Sequence, residues 1–483
     1  MSSVDILLIY PSYTYPKKSP PIGLAYVAAA LERAGFSVKI IDMAVLSMDC
    51  GSLQGFIGKH KPKVVGISFM TNQYKEALNV SKVVKDVDPN ISVIVGGPHA
   101  SALPEETLAE NSIDIVVQGE GEETIVEVMD KLMNNKKSEL NKVTGIFYKY
   151  RGDIQSSGSR ILIPDLDLVP FPAWHLLPLN SYSVPSTGGN RSERVFAIIS
   201  SRGCPSNCIF CDSHTIFGKK FRGRSAENIF SELVYLKDNF GAAQFDFVDD
   251  TITVNKDRIH ELCALILESN YKFKWMCNAR VNTVNSETLK IMKKAGCVRV
   301  EFGVESGDDQ VLKKLRKSIT VKQIKHAHNI AREAGLSIGS FVMVGNMGED
   351  FNSVMKTKKF LEKLETDDIY ISIATPFPGT ELYRVAQSKG LLRIRDWSRY
   401  VTSPTYLPEY ENIMRTDKMD SPEILRAFFY LHSEFVKKKF FTRYGKFFFF
   451  NPYFYKEVIF SVRNLKELFY KIKLAIRVLV NKR

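Results

Sequence analysis

The chain of 483 residues is short of several features that would assign it to a class at once. Its seven cysteines are few and odd in number, which excludes a small secreted scaffold built on paired disulfides and favours a reducing, cytoplasmic location. No stretch approaches the roughly 18 uncharged apolar residues of a membrane-spanning helix, and the N-terminus lacks the basic segment and long apolar run of a signal peptide. With 45% hydrophobic and 25% charged residues, the composition is that of a folded protein of about three domains.

Acidic residues are scarce only in the C-terminal tail. The net charge is +13, but residues 436–483 supply 13 basic and 2 acidic side chains, so the first 435 residues, with 53 basic and 51 acidic, are nearly neutral. The tail also carries 9 Phe and 4 Tyr. Three interpretations stay open: a nucleic-acid surface, which we disfavour, a peripheral contact with a membrane, and a helical cap that buries the rings. Membrane contact would suit a lipid-like substrate.

Residues 1–140 alternate β-branched runs with helical patterns, which predicts an α/β domain with a doubly wound parallel sheet. Ligands of such sheets bind beyond the carboxyl ends of the strands. Two glycine turns follow predicted strands there, Gly96-Gly97 before His99, and Gly119 and Gly121 on either side of a glutamate. Glycine allows a bulky ligand to approach the backbone closely, although such turns also occur without a ligand. The predicted strands are 5–10, 37–41, 64–69, 92–95 and 113–118, and the helices 21–34, 74–87 and 123–134.

Three further sections follow along the chain. Residues 141–194 are rich in proline and turn residues and are predicted to be a connector with a hairpin. Residues 195–395 contain six strand candidates separated by helical patterns, which predicts a partial (β/α)6 barrel with its chemistry at the carboxyl ends of the strands. Residues 396–483 lose the alternation and are predicted to be mostly helical, with helices at 420–439 and 462–480 and Ser421 as the N-cap of the first.

A cluster of three cysteines follows the first strand of the second series. Cys204, Cys208 and Cys211 have the spacing C-x3-C-x2-C, and three thiolates on one loop can hold three irons of a [4Fe–4S] cluster while the fourth iron stays open. Zinc is the alternative metal, because His214 lies three residues after the last cysteine and would complete a Cys3His site. The remaining Cys263, Cys277 and Cys297 lie in helix or strand patterns and are predicted to be core residues.

The cysteine loop resembles the signature of the radical S-adenosylmethionine enzymes. The resemblance implies a partial barrel in which the open iron binds the methionyl amine and carboxylate of S-adenosylmethionine, and the reduced cluster cleaves it to a 5′-deoxyadenosyl radical. It implies that Phe210 lies against the adenine and that an acidic pair after the second strand, Asp249 and Asp250, lies near the methionyl amine. Arg280 ends the third strand, and Glu305 is implied to face the ribose or the methionyl group. Met347 departs from the family pattern G-x-P-G-E.

The N-terminal domain resembles that of the cobalamin-binding subgroup, so residues 1–140 are expected to bind cobalamin. Many such domains carry a histidine that ligates cobalt after the first strand, but residues 10–16 contain none. His99, on the glycine loop at the expected edge of the cofactor, is then the nearby alternative. A tRNA methylthiotransferase-like enzyme is the rival, but it needs a second three-cysteine cluster in a domain that here contains only Cys50.

Together these features predict a radical enzyme with a [4Fe–4S] cluster, S-adenosylmethionine and cobalamin. The resemblance implies methyl transfer to an unactivated carbon of an apolar or natural-product-like small molecule, with electrons from a partner such as flavodoxin or ferredoxin. Two alternatives stay open. One is a radical oxidation or ring closure, as in the anaerobic magnesium-protoporphyrin cyclases, and the other is a non-catalytic iron–sulfur or corrinoid carrier.

Overall fold

The computed structural model describes residues 4–13, 19–182, 194–404 and 410–444, with side chains described up to Phe435. The interpretations of the basic aromatic tail and the helix predicted at 462–480 therefore lie outside the described residues. Among the helices of the described part, none is long and apolar enough to cross a membrane.

The N-terminal domain is built on a seven-stranded sheet. Its strands are β1 (Ile6–Tyr10), β2 (Val38–Asp42), β3 (Val64–Ser68), β4 (Ser92–Gly96), β5 (Ile115–Val117), β6 (Ile146–Tyr150) and β7 (Asp153–Ser156). The order is β2-β1-β3-β4-β5-β6-β7, with parallel pairing from β2 to β5 and an antiparallel hairpin of β6 and β7 at the edge. The predicted parallel sheet is confirmed, and the hairpin predicted in the connector extends it.

Helices cover both faces of this sheet. They are α1 (Ile22–Arg33), α2 (Met43–Leu46), α3 (Cys50–His60), α4 (Tyr74–Val87), α5 (Pro98–Ala102), α6 (Pro104–Leu108) and α7 (Glu122–Met133). Alternate residues of β1 point to opposite layers: Ile6 and Leu8 pack with α1 and α7, whereas Leu7 and Ile9 pack with α3 and α4. The sequence reading missed α3, because its three glycines weaken the helical pattern.

The second domain is a partial barrel of six parallel strands. They are β8 (Val195–Ile198), β11 (Gln244–Phe247), β12 (Trp275–Ala279), β13 (Cys297–Glu305), β14 (Ser337–Val344) and β15 (Asp368–Ile373). Their order in the sheet follows the chain, from β8 to β15. After the first strand, β9 (Ser201–Arg202) and β10 (Arg222–Gly223) form a separate short antiparallel sheet. All six predicted strands are present, and Cys263, Cys277 and Cys297 are fully buried as predicted.

The helices of the barrel and of the C-terminal section begin at strong caps. Ser225, Asn255, Asn285, Thr320, Asp350 and Thr380 each accept a backbone N–H at a helix N-terminus, which satisfies a donor that the first turn leaves unpaired. The helices are α8 (His214–Phe217), α9 (Ala226–Phe240), α10 (Lys256–Glu268), α11 (Ser286–Lys294), α12 (Asp309–Lys314), α13 (Val321–Glu333), α14 (Phe351–Glu362), α15 (Glu381–Ser388) and α16 (Ser421–Tyr444).

The cap of α16 differs from the expectation. Ser421 is its first residue rather than its N-cap. Asp420 accepts the Glu423 amide at 2.9 Å, and the Glu423 carboxylate accepts the Asp420 amide at 2.8 Å. This reciprocal pair is a capping box, which satisfies two donors instead of one.

Candidate active site

The three-cysteine loop lies at the carboxyl edge of the partial barrel. Cys204, Cys208 and Cys211 all line one cavity of about 370 Å³. Burial raises the pKa of Cys211 to about 12. Before the first cysteine, Gly203 has a φ of +83°, and a Cβ there would lie 2.2 Å from the Lys220 carbonyl oxygen, so the chain needs glycine at this turn.

Two backbone hydrogen bonds fix the middle of this loop. The Ile209 amide donates to the Leu315 carbonyl at 3.1 Å, and the Ile209 carbonyl accepts the Leu382 amide at 2.8 Å. The Arg280 guanidinium lies 3.6 Å from the Cys208 sulfur and also donates to the Lys317 carbonyl. This contact places a positive charge beside the sulfur of the middle cysteine.

The two acidic residues after β11, Asp249 and Asp250, differ in their contacts. Asp249 is buried and its carboxylate accepts the Ser200 amide at 2.7 Å and the Ser200 and Ser201 hydroxyls at 2.5 Å. Asp250 accepts the Ser213 hydroxyl, and burial raises its pKa. Both line the cavity, but three contacts already occupy Asp249, which leaves Asp250 as the better acceptor for an incoming ammonium group.

Glu305 forms an ion pair that the sequence did not predict. Its carboxylate lies 2.6 Å from the Lys317 ammonium, which is also 5.7 Å from the centre of the Phe210 ring. Glu305 has a φ of +61°, a strained value for a non-glycine residue. A Cβ on Gly303 would lie 2.5 Å from the Lys317 ammonium, so this glycine makes room for the pair. The structure therefore brings Phe210, Arg280 and Glu305 to the cavity of the cysteines.

In the loop after β14, a glutamate carboxylate accepts backbone amides of the same loop. Glu349 is buried and accepts the amides of Gly345 and Asn346 at 2.6 and 3.1 Å, and burial raises its pKa to about 7. Met347, where the pattern had differed, is buried against Ile209 of the cysteine loop. It supports the loop through packing.

A second cavity lies at the carboxyl edge of the N-terminal sheet. Gly96, Gly97, Gly119 and Gly121 line it together with apolar side chains of β1, α1, β4 and β5. Gly97 has a φ of +96°, and a Cβ there would lie 2.7 Å from the Phe69 carbonyl oxygen. The backbone therefore forms part of the wall, which suits a large ring system that lies flat against it.

His99 lies close to this cavity but does not line it. Its ring is fully buried among Phe69, Tyr74 and Trp397, at centroid distances of 5.7, 4.7 and 5.2 Å. Neither ring nitrogen has a hydrogen-bond partner within the part of the chain that the structure describes, and burial lowers its pKa to about 4. The structure thus holds a neutral imidazole away from the glycine wall.

The segment from Arg202 to Phe217 contributes residues to the lining of both cavities. Arg202, two residues before the first cysteine, lines the cavity of the N-terminal sheet. Its guanidinium donates to Glu120 at 2.9 Å and to Glu122 at 2.5 Å, and Arg222 also contacts Glu120 at 2.9 Å. His214 lines the cysteine cavity, whereas Phe217 of the same helix lines the other. Buried ion pairs therefore join the glycine turn to the cysteine loop.

Comparison with known proteins agrees with both halves of this arrangement. A B12 binding domain model matches residues 13–129, and a radical SAM superfamily model matches residues 198–361. An uncharacterised methyltransferase of Pyrococcus horikoshii is 35% identical over 92% of this chain and 96% of its own. The chain belongs to the cobalamin-binding radical S-adenosylmethionine enzymes.

Two further comparisons describe the breadth of this family. An anaerobic magnesium-protoporphyrin IX monomethyl ester cyclase of Rubrivivax gelatinosus is 25% identical over 91% of this chain and 78% of its own. The solved structure of the cobalamin-dependent S-adenosylmethionine radical enzyme OxsB, with aqua-cobalamin and S-adenosylmethionine bound, shares the fold. Its TM-score is 0.73 at 18% identity, over 99% of this chain and 72% of that one.

The donor set suits the cofactors of this radical enzyme: a [4Fe–4S] cluster, S-adenosylmethionine and cobalamin. Within the described ranges no three Cys, His, Asp or Glu side chains converge on one ion, as a Cys3His zinc site requires. A cluster instead places each thiolate on its own iron. The His214 ring contacts the Cys204 carbonyl oxygen at 3.0 Å.

Sequence reasoning missed two groups of residues in this radical enzyme. Lys317 is one of several cations in its segment, and nothing in the sequence distinguishes it from Lys313 or Lys314; only the fold brings it to Glu305. Glu120 stands between the two glycines that were singled out, and Glu122 follows the second of them. They lie 82 and 80 residues from Arg202, but two acidic residues in one glycine turn and an arginine before Gly203 were a signal that these loops meet.

Proposed function

We propose that the protein transfers a methyl group to an unactivated carbon of a small-molecule substrate. The observation that carries this proposal is the boundary that α8 forms between the two cavities: His214 lines the cysteine cavity, whereas Ile216 and Phe217 line the cavity of the N-terminal sheet. A substrate held at this boundary would face the S-adenosylmethionine site on one side and the cobalamin site on the other. The similarity to a methyltransferase over nearly the full chain supports the same reaction.

The chain's own residues have distinct tasks in this proposal. When bound, the cluster with S-adenosylmethionine supplies a radical that abstracts hydrogen, and cobalamin supplies the methyl group. Asp250 would accept the methionyl ammonium, and the Lys317 cation would face the methionyl carboxylate while Glu305 positions it. Arg280 would hold its positive charge against the Cys208 sulfur. The apolar lining of the cobalamin cavity excludes water, which would quench reactive species.

Radical oxidation or ring closure without methyl transfer is the second candidate. The similarity to the magnesium-protoporphyrin cyclase, which also extends over most of the chain, favours it. Both reactions need the same cofactors and an external one-electron donor, for which we propose a flavodoxin or ferredoxin. The proposal of an apolar substrate and of membrane contact rests on the composition of the tail.

Product mass separates the candidates. The protein is purified and reconstituted without oxygen with iron, sulfide and hydroxocobalamin, and incubated with S-adenosylmethionine, reductant and candidate substrates. We expect a product heavier by one CH2 unit, with a label transferred from methyl-labelled S-adenosylmethionine. A product that has lost hydrogen and carries no label would establish the cyclase-type reaction, and cofactor binding without S-adenosylmethionine cleavage would indicate a carrier.

A further inference from the structure

Exposed cations surround the outer side of the cysteine loop. We call them the basic rim, and they come from three separate segments. Lys219 and Lys220 follow α8, Lys314 and Arg316 lie at and after the end of α12, and Arg384 is on α15. All five are exposed.

Direct contacts place each segment against the cysteine loop. The Lys219 ammonium donates to the Asn207 side-chain oxygen at 2.7 Å. Leu315, between the two cations of its segment, accepts the Ile209 amide, and Leu382 of α15 donates to the Ile209 carbonyl. The three segments that carry the cations therefore meet at the cysteine loop.

The positive charge of the rim is a local property. The first 435 residues carry 53 basic and 51 acidic side chains, so an average surface patch is close to neutral. Glu381 lies 2.7 Å from Arg316 and offsets one charge. Asp417, which accepts the Gly348 amide at 2.7 Å, offsets a second charge close to Lys314. With five cations, the rim retains an excess of positive charge.

The two sides of the cysteine loop differ in what they can meet. The inner side faces the cavity, where S-adenosylmethionine and substrate bind in the proposed reaction. On the outer side, Pro205 and Asn207 are exposed between the first two cysteines. A protein that delivers an electron to a cluster held by this loop would have its shortest approach on the outer side.

We propose that the basic rim is the docking surface of an acidic one-electron carrier protein. The carrier loses one electron and the cluster gains it, and no bond forms or breaks. This inference rests on the proposed function, which requires a reduced cluster. Clusters of like charge steer an oppositely charged partner and raise its association rate 10- to 1,000-fold at low ionic strength, and salt screens the effect.

A charge-reversal variant tests the proposal directly. In Lys219→Glu/Lys220→Glu, we expect the Kd for an acidic flavodoxin to rise at least about tenfold at low salt, and reduction of the cluster by flavodoxin hydroquinone to slow by a similar factor. Reduction by the methyl viologen radical, a small reductant that carries no negative charge, should not slow. The matched control is Lys322→Glu/Lys325→Glu, which reverses two exposed lysines on α13 and should change neither quantity.

The outcomes separate this inference from the proposed function. Equal flavodoxin binding and reduction rates in both variants would overturn the docking surface, whatever reaction the enzyme catalyses. Slower reduction by the methyl viologen radical as well would also overturn it, because the substitution would then have damaged the cluster site. If the variant lost binding of an RNA oligomer but kept electron uptake, the rim would be a nucleic-acid surface. If flavodoxin reduces the cluster and this reduction depends on the rim, but no methyl group is transferred, only the proposed function is rejected.

Discussion

The two cavities that we propose for the cofactors are built by opposite means. The cysteine cavity of the barrel is lined by ionisable side chains, which are held by ion pairs and hydrogen bonds at 2.5–3.6 Å. The cavity of the N-terminal sheet is lined mainly by glycine backbone and apolar side chains. The first recognises charges that develop or bind at defined points. The second offers a smooth wall, so its specificity depends on shape.

Removal of one cluster ligand gives the largest expected effect. Cys208→Ala should lower the iron content of the reconstituted protein and abolish S-adenosylmethionine cleavage, because a cluster with two cysteine ligands is not held. Iron analysis and the yield of 5′-deoxyadenosine measure this. Cys263→Ala, a buried cysteine of α10, is the control and should retain iron and activity. Full activity of Cys208→Ala would refute the cluster-based mechanism.

A change in the glycine wall should act on the other cofactor alone. Gly97→Ala places a Cβ 2.7 Å from the Phe69 carbonyl oxygen at a φ of +96°, a strain of roughly 1–3 kcal/mol. We expect the cobalamin affinity to fall by about tenfold or more, as measured by absorbance titration, with the iron content unchanged.

Two further variants make this result decisive. Gly96→Val also adds bulk to the wall, but without a positive φ or a contact closer than 3.6 Å, so it should weaken cobalamin binding in a normally folded protein. Gly55→Ala in α3, where a Cβ meets nothing within 4 Å, should leave binding unchanged and stabilise the helix by up to about 1 kcal/mol. Unchanged cobalamin binding in Gly96→Val would show that the cofactor does not contact this wall.

The contrast between the cavities also explains what the sequence could predict. Short motifs carried the proposed cluster ligands and the glycine turns, because three cysteines in eight residues or a Gly-Gly after a strand are local patterns. The alternation of strands and helices predicted both α/β domains, since strands buried on both faces form continuous β-branched runs.

Contacts between distant segments could not be predicted in the same way. Lys317 meets Glu305 only because the chain returns after α12 through Arg316 and Ser318, both with positive φ values. Arg202 meets Glu120 and Glu122 only because the two domains pack at their carboxyl edges. His99 illustrates the opposite case: it stands in a glycine motif, yet Trp397, from a distant segment, completes the cage that holds its ring outside the cavity wall.

The last prediction concerns the cation that the sequence did not reveal. Lys317→Met removes the partner of a buried carboxylate and a positive charge beside Phe210. A hydrogen bond to a charged group contributes about 1.5–3 kcal/mol, so the affinity for S-adenosylmethionine should fall about 10- to 150-fold, as measured by titration of the reconstituted protein. The matched control is Lys313→Met, which replaces an exposed lysine of the same segment and should leave S-adenosylmethionine binding unchanged.

A double-mutant cycle tests whether the two residues act together. Glu305→Gln combined with Lys317→Met completes the cycle, and the losses of affinity should be less than additive because the two groups act as one pair. Independent, additive losses would mean that each residue contacts the ligand separately.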